Sequence, residues 1–372
     1  MKIGIDGRAA KWYRGTGIGT YTYQLITNLN KIDTLSEYLL FSPEGLDIKN
    51  LNNNFTLKKV DDNTTENFWE NVRVPNILTD KSMELYHIPQ NGVGLSENIY
   101  CKKIITLHDI IPLKMPDTVS DRYLKIFNEE MPKIIDSCDG IITVSEFSKE
   151  DIAKEFNYPK DKIFVTHLAA EDIYRPLGKS SCQKIIKEKY KIDNNFILYV
   201  GGLSPRKNIK GLIEAYSLLP AETREKTKLV ITGKKGLSYD SYLKRARDLK
   251  ISDDVIFTDF IPLEDLPIFY NACEMLVYPS FYEGFGLPPL EAMACGTPVI
   301  ASNRTSIPEI CENTAILIDP EDITELAERI FLVLNDSLLK LSMVNNSIKT
   351  SRKFSFEQTA LKTLNAYKKT IG

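Results

Sequence analysis

The sequence predicts an α/β protein built from two doubly wound parallel-sheet domains. Three observations predict this class: short apolar strands alternate with amphipathic helices, the alternation runs twice along the chain, and 372 residues exceed one ordinary core. A Pro and a Gly interrupt the pattern at 174–181. We therefore expect domains at 1–177 and 178–354, and a closing helix within 355–372 that packs back onto the first domain.

The predicted strands are short apolar segments bounded by turn residues, as is typical of parallel sheets covered on both faces. In the first half they lie at 2–5, 37–41, 84–88, 102–107 and 140–144. In the second half they lie at 196–200, 228–232, 255–258, 275–279, 298–302 and 315–318. Helical patterns lie between them, for example at 210–219 and 265–274, and Ser355 is the predicted N-cap of the closing helix. Ligands of such sheets bind beyond the carboxyl ends of the strands, so we expect the active site in the cleft between the domains.

Composition excludes several classes of protein. Hydrophobic residues make up 43% and charged residues 26%, which is typical of a soluble globular protein. A net charge of -3 and a pI near 5.9 give no global basic field, so no nucleic-acid partner is expected. Six scattered cysteines without a C-x-x-C pair predict free thiols rather than a zinc site or disulfides. With no leader and no long apolar run, we expect a cytoplasmic protein whose membrane contact is at most peripheral.

The segment PSFYEGFGLPPLEAMACGTPVIA at 279–301 places two glutamates on one strand–loop–helix unit. Glu283 lies in a loop whose glycines let the backbone approach a ligand, and Glu291 lies about one turn into the following helix. The helix start is a predicted seat for phosphate. A ligand with a central diphosphate and hydroxyl-rich rings at both ends, such as a nucleotide sugar, fits this pattern. The alternative is a helix-capping Glu283 and a solvated Glu291.

A second strand–loop–helix unit, YVGGLSPRKNIKGLIEAY at 199–216, carries Arg206 and Lys207 after a glycine turn. We predict that these cations neutralise a diphosphate. Because the leaving group of glycosyl transfer gains negative charge as its bond breaks, fixed cations stabilise the transition state more than the ground state. A solvated Arg–Lys pair is the alternative.

The chain has three histidines, and His108 in ITLHDIIPLKMP, which follows a predicted strand, ranks first. At the carboxyl end of a parallel strand it could bind a sugar hydroxyl or assist a proton transfer. His87 and His167 lie in similar predicted positions, and a purely structural role is the alternative. The glycine loop of WYRGTGIGTYTYQL, with Gly17 at its centre, does not match G-x-G-x-x-G. We expect its N–H groups to approach a phosphate or acceptor, with ordinary turn glycines as the alternative.

No D-x-D pair occurs, so the usual carboxylates that hold a metal against a diphosphate are missing. We therefore expect no metal and no cofactor, with the two cations and a helix dipole in place of the metal. A Walker A loop, a G-x-S-x-G elbow and an H-E-x-x-H site are also missing from the sequence.

Taken together, these segments resemble the family-4 glycosyltransferases of the GT-B fold over nearly the whole chain. YEGFGLPPLEAMACGTPVIAS is similar to the E-x7-E region of that family, and PRKN to its phosphate-binding segment. LHDIIPLKMP, IITVSEFSKEDI and GIGTYTYQL resemble segments of its bacterial mannosyltransferase-like members.

The resemblance implies two Rossmann-like domains facing a central cleft, and a retaining, metal-independent hexosyltransferase. It places Glu283 near the hydroxyls of the transferred sugar, Glu291 near the ribose and His108 near the reacting face of the sugar. Arg206 and Lys207 would bind the diphosphate. One departure is a glycine at 202, where some members place an Arg. The remaining predicted donor-binding residues are Gly17, Gly202, Gly233, Lys234, Gly284, Phe285, Gly286 and Leu287.

The predicted donor is GDP-mannose or a UDP-sugar, with mannose suggested by the mannosyltransferase-like first half. The predicted acceptor is a glycan or a lipid-linked glycan in cell-surface polysaccharide synthesis. The helix predicted at 121–137 carries Lys125 and Lys133 and could touch an anionic membrane, where lipid-linked acceptors lie. A solvated helix covering the sheet is the favoured alternative.

Other functions fit parts of the sequence. A sugar-nucleotide epimerase would share the architecture, and a non-catalytic sugar-nucleotide-binding protein would share the site. A glycoside hydrolase using Glu283 and Glu291 is disfavoured, since an unactivated glycoside has no diphosphate for the cations to neutralise. A nicotinamide oxidoreductase is the least favoured function, because the chain lacks the G-x-G-x-x-G fingerprint.

Overall fold

A computed structural model describes residues 1–46, 48, 50–59, 82–95, 99–236 and 238–372. The chain divides into two compact units, Met1–Leu168 together with Ser355–Gly372, and Ala169–Phe354. The predicted boundary after residue 177 lies inside the second unit, because the segment before it is tied to that unit. The N–H of Leu177 donates to Asn271 Oδ1 at 2.7 Å, and Asn271 Nδ2 donates to the Arg175 carbonyl at 3.0 Å.

The first unit contains a parallel sheet of seven strands in the order 3-2-1-4-5-6-7. The strands are β1 (Lys2–Asp6), β2 (Glu37–Ser42), β3 (Phe55–Lys59), β4 (Leu85–Ile88), β5 (Lys102–Thr106), β6 (Gly140–Thr143) and β7 (Ile163–Val165). Its described helices are α1 (Arg8–Trp12), α2 (Gly17–Ile32), α3 (Ile111–Lys114), α4 (Asp121–Ser137) and α5 (Glu146–Phe156).

The second unit contains a parallel sheet of six strands in the order 10-9-8-11-12-13. The strands are β8 (Asn195–Val200), β9 (Thr227–Thr232), β10 (Val255–Asp259), β11 (Met275–Tyr278), β12 (Val299–Ser302) and β13 (Ile316–Ile318). Its described helices are α6 (Lys179–Tyr190), α7 (Ile209–Ser217), α8 (Ala221–Lys226), α9 (Tyr239–Asp248), α10 (Leu266–Ala272), α11 (Leu287–Ala294), α12 (Ile307–Cys311), α13 (Ile323–Asn335) and α14 (Ser337–Ser351). In each sheet the strand order reverses once, which confirms two doubly wound parallel sheets.

The last helix, α15 (Phe356–Ile371), belongs to the first unit. It begins at the predicted N-cap, where the Ser355 side chain accepts a hydrogen bond from the Gln358 N–H. A buried polar contact then ties it to the sheet: Tyr367 OH lies 2.7 Å from His87 Nδ1 of β4, and His87 Nε2 in turn lies 2.8 Å from Thr106 Oγ1 of β5.

His87 therefore has a structural role rather than the predicted position at a strand end. It lies inside β4, fully buried, with both ring nitrogens hydrogen-bonded. Burial and the neighbouring His108 lower the pKa of His87 to about 3, so its ring is neutral near pH 7. His167 follows β7, and its carbonyl accepts a hydrogen bond from Thr359 of α15.

The helix α4 covers the first sheet. Its apolar residues Phe127, Met131 and Ile135 are buried in the core of the unit. On its exposed side the lysines face acids: Lys125 Nζ is 3.9 Å from a Glu129 oxygen, and Lys133 Nζ is 2.9 Å from a Glu130 oxygen. The exposed face is mixed in charge, which favours the solvated-helix alternative. Among the described residues, no helix combines the length and the hydrophobicity that crossing a bilayer requires.

Candidate active site

Two loops come together where the strand order of the second sheet reverses. β8 and β11 pair in parallel at this point. The loop after β8 carries Arg206 and Lys207 in a short 3-10 turn, Pro205–Lys207, and the loop after β11 carries Glu283. Helices leave such neighbouring strands toward opposite faces of the sheet, which makes this carboxyl edge the usual ligand site of a doubly wound fold.

Arg206, Lys207 and Glu283 form a buried group that we call the charge cluster. Lys207 Nζ lies 2.6 Å and Arg206 Nη1 lies 2.8 Å from the same atom, Glu283 Oε1. The Tyr278 hydroxyl donates to that oxygen at 3.1 Å, and Arg206 also donates to the Tyr282 carbonyl. The three charged side chains are 13, 12 and 9% exposed, so water screens their charges weakly. The structure thus brings three predicted site residues together, and the Arg–Lys pair is not solvated.

Glu283 is held as a carboxylate. Burial alone would raise the pKa of its carboxyl, but the charges of Lys207 and Arg206 outweigh burial and lower this pKa to about 2. The alternative of a capping Glu283 is wrong. The N-cap of α11 is Gly286, and no side chain caps the helix there.

Glu291 lies in α11 and has a different set of partners. Its Oε2 accepts a hydrogen bond of 2.7 Å from the buried Tyr270 hydroxyl. Burial raises the pKa of Glu291 to about 7; the Tyr270 hydrogen bond opposes this shift, and the negative charge of Glu171 adds to it. Glu291 is therefore half-buried and hydrogen-bonded rather than solvated.

The raised pKa of Glu291 predicts a specific pH dependence of stability. In the unfolded chain this carboxyl ionises near its ordinary pKa of 4.5, whereas in the folded protein it keeps its proton until about pH 7. Raising the pH through this window therefore favours the unfolded state. The substitution Glu291→Gln removes this loss, so the melting temperature of the variant relative to the native protein should rise between pH 4.5 and 7 and then level off. Thermal melts across this range, with the exposed Glu328→Gln as control, check this; parallel curves for Glu291→Gln and native protein would contradict it.

The loop between β11 and α11 offers its backbone to a ligand. Gly286 has φ +118°, a conformation that favours glycine. The two residues after Leu287 are prolines and carry no N–H, so the helix start has fewer donors than the sequence pattern suggested. Phe285 is 4% exposed and packs edge-on against Phe354. The prediction of Phe285 as a donor-binding residue therefore applies to its backbone and not to its ring.

The loops after β8 and β9 approach each other closely. A Cβ added at Gly233 would lie 1.9 Å from the Gly201 carbonyl oxygen, so this contact requires glycine at 233. A Cβ added at Gly202 would meet nothing within 4 Å, which leaves that position open to a ligand. Lys234 is exposed beside them.

The remaining predicted residues lie in the first unit. Gly17 is the first residue of α2, after the N-cap Thr16. His108 follows β5 and is 7% exposed, and its Nε2 lies 3.0 Å from the Pro89 carbonyl. A carbonyl only accepts, so we assign the proton to Nε2, and Nδ1 is then an acceptor. Burial lowers the pKa of His108 to about 4, so near pH 7 it can accept a hydrogen bond from a hydroxyl but holds no extra proton to donate.

Sequence reasoning missed the residues that hold these side chains in place. Tyr278 ends β11 and donates to Glu283, and Tyr270 donates to Glu291. Thr305 and Ser306 follow β12 and bond to the backbone of the Glu283 loop. For Thr305 and Ser306, their position after the carboxyl end of a parallel strand was the one sequence signal that could have indicated a place in the site.

Two family models match the chain. The model described as Glycosyltransferase Family 4 matches residues 16–170, and the model described as Glycosyl transferases group 1 matches residues 183–350. The second of these matches falls within the second structural unit, and the first covers most of the first unit and ends two residues beyond Leu168.

Similar proteins agree with these models. O-antigen chain mannosyltransferase B of Escherichia coli is 36% identical over 267 residues, which cover 72% of this chain and 70% of the relative. Serotype-specific mannosyltransferase WbdA of Escherichia coli is 30% identical over 269 residues, which cover 71% of this chain but 33% of WbdA.

A solved structure shares the whole fold. Sucrose-phosphate synthase from Thermosynechococcus elongatus superimposes with a TM-score of 0.77 and 20% identity, covering 99% of this chain and 98% of that chain. The two parallel sheets, this likeness and the family models identify the fold as GT-B. The chain therefore belongs to glycosyltransferase family 4, and it is a glycosyltransferase related to bacterial mannosyltransferases.

Proposed function

We propose that this protein is a retaining, metal-independent mannosyltransferase that moves mannose from GDP-mannose to a glycan or lipid-linked glycan in cell-surface polysaccharide synthesis. The choice of mannose and of this pathway is supported by the two Escherichia coli relatives, which are named as mannosyltransferases. Peripheral contact with the membrane that carries a lipid-linked acceptor belongs to the same proposal. The observation that carries the chemistry is the charge cluster at the reversal point of the second sheet.

The charge cluster is suited to receive a departing diphosphate. As the bond from the anomeric carbon to the phosphate oxygen breaks, its electron pair stays on the phosphate, which gains negative charge. Arg206 and Lys207 are already fixed by Glu283 and shielded from water, so little reorganisation is needed when that charge develops. Charge-assisted contacts of this kind are about twice as strong as neutral hydrogen bonds. Fixed positive charge thus does the work that a divalent cation does in enzymes with a D-x-D pair.

Other residues complete the proposed donor site. The Glu283 carboxylate accepts hydrogen bonds from the hydroxyls of the transferred sugar, and Glu291 accepts them from the ribose. Backbone N–H groups of the loop from Gly284 to Leu287 contact the sugar and the phosphate. The base lies near Gly233 and Lys234, at the carboxyl ends of β9 and β10.

We propose retention through a step on one face of the sugar. The acceptor oxygen forms its bond to the anomeric carbon as the phosphate leaves, and the leaving phosphate takes the proton of the acceptor hydroxyl. A covalent route would require Glu283 as the nucleophile. Its Oε1 holds Lys207, Arg206 and Tyr278, and those contacts weaken it as a nucleophile because they stabilise the carboxylate.

The test is transfer from GDP-mannose to a synthetic α-mannoside with a hydrophobic aglycone, with and without EDTA. We expect the same rate in both, because protein cations stabilise the leaving group. Released GDP gives the rate, and NMR of the product gives the anomeric configuration, which should remain α. UDP-glucose in place of GDP-mannose is the control for donor choice.

Specific outcomes would overturn parts of this proposal. Activity that vanishes in EDTA and returns only with Mg²⁺ or Mn²⁺ would contradict metal independence. A β-linked product would contradict the retaining mechanism. A new epimer formed from the donor without acceptor would identify the epimerase alternative. Nucleotide binding without turnover across a panel of acceptors would identify the binding-protein alternative.

A further inference from the structure

Thr305 has a backbone conformation that its side chain disfavours. Its φ is +58°, in the left-handed region. β-Branched residues rarely adopt this conformation, and such outliers persist where the surrounding structure over-determines them, often at functional sites. Glycine would relieve the strain at this position, so the presence of threonine requires a reason.

The reason lies in what the side chain contacts. Thr305 Oγ1 accepts a hydrogen bond of 3.1 Å from the N–H of Glu283. The next residue, Ser306, is fully buried, and its hydroxyl lies 2.9 Å from the Glu283 carbonyl and 2.7 Å from the Phe285 carbonyl. The single hydroxyl proton of Ser306 is shared between the two carbonyls. Both backbone polar groups of Glu283 are therefore held by these two residues, while the charge cluster holds its carboxylate.

These contacts also fix the direction of two backbone amides. In a trans peptide the N–H points opposite to the C=O of the same peptide unit. Because Ser306 holds the carbonyls of Glu283 and Phe285, the N–H groups of Gly284 and Gly286 point to the opposite side of the loop. Within the described part of the chain, the Gly286 N–H makes no hydrogen bond. The prolines after Leu287 supply no N–H, so the Gly286 amide is a donor that this helix start keeps for a ligand.

We propose that Thr305 and Ser306 are positioning residues for glycosyl transfer, which fix the Glu283 backbone and turn the amides of Gly284 and Gly286 outward toward the donor. This inference rests on the proposed function, since it assumes that Glu283 and these amides contact the donor. Thr305 and Ser306 act through the loop, by limiting the positions that Glu283 can adopt.

Three substitutions at Thr305 separate positioning from a merely structural role. Thr305→Val keeps the branched shape and loses the acceptor oxygen, and Thr305→Ser keeps the oxygen. Thr305→Gly loses the oxygen but relieves the backbone strain, so it should be at least as stable as the valine variant. A small displacement of a catalytic group is costly, so we expect kcat to fall roughly 10-fold to 100-fold in the Val and Gly variants. The Ser variant should restore kcat to near the native value.

The experiment measures kcat, the KM for GDP-mannose and the melting temperature of these variants, with Glu283→Gln as the reference. Low kcat in the Val and Gly variants, recovery in the Ser variant and similar melting temperatures support the inference. Native kcat in the Val and Gly variants, with Glu283→Gln impaired, overturns the inference and leaves the proposed function standing. Native kcat in Glu283→Gln overturns both, because the loop would then hold no catalytic group.

Discussion

Replacing Lys207 with alanine is expected to lower kcat for mannosyl transfer by roughly 10²–10³, the usual effect of removing one preorganised donor from a site where charge develops. Lys207 Nζ lies 2.6 Å from Glu283 Oε1 and its side chain is 12% exposed, so its charge acts in a poorly screened environment. The loss should appear in kcat more than in KM, because the charge on the phosphate grows between the bound donor and the transition state. Arg206 remains and accounts for the residual rate.

The matched control is Lys228→Ala. Lys228 also pairs with a carboxylate of the second unit, at 2.5 Å from an Asp254 oxygen, and its side chain is 16% exposed. This variant loses a similar ion pair at the start of β9, away from the charge cluster, so its kcat should stay near the native value. If both variants slow equally, the loss reflects general damage to the unit; if Lys207→Ala keeps the native kcat, Lys207 has no part in the mechanism.

The strands that sequence predicts well are those that the sheet buries. All eleven predicted strands are present, with ends shifted by at most one residue at either side. In the part of the chain that the structure describes, two strands were missed, and both have weak sequence patterns for physical reasons. β3 is an edge strand in which Phe55 alone is buried, and β7 has three residues, too few to show a period. The predicted domain boundary differs from the division of the structure by nine residues, because Asn271 holds the 175–177 segment through contacts far apart in the sequence.

The candidate site likewise has features that the sequence predicts and features that depend on the fold. Arg206, Lys207 and Glu283 could be selected because each follows the carboxyl end of a parallel strand and has a chemistry suited to a diphosphate or a sugar. The contact of both Arg206 and Lys207 with one oxygen atom of Glu283 could not be predicted, since it depends on β8 and β11 being neighbours across a crossover. The positive φ of Thr305 and the raised pKa of Glu291 were equally hidden. Both depend on surroundings that only the fold creates: Thr305 contacts the Glu283 N–H, and Glu291 is half-buried beside the negative charge of Glu171.

Replacing Glu283 with glutamine is expected to slow transfer and to tighten the binding of GDP. The kcat should fall by roughly 10², because the amide keeps the shape but loses the carboxylate that orients the sugar hydroxyls and the two cations. The effect on GDP has the opposite sign. In the native protein the Glu283 carboxylate, whose pKa is lowered to about 2, cancels one of the two positive charges near neutral pH. The variant leaves both charges for the diphosphate.

Calorimetric titration of GDP in EDTA should show a Kd about tenfold lower for Glu283→Gln than for the native protein, or about 1.4 kcal/mol. The control is Glu274→Gln, since Glu274 also lies between two cations, Lys179 and Lys340, each at 2.7 Å, and is 13% exposed. It should change neither kcat nor GDP affinity. Weaker GDP binding by Glu283→Gln would contradict the prediction. It would mean that the carboxylate helps GDP binding by holding the two cations in place more than it hinders binding by cancelling a positive charge. Tighter binding joined to slower transfer is the combination expected of a carboxylate that shares its cations with the leaving group.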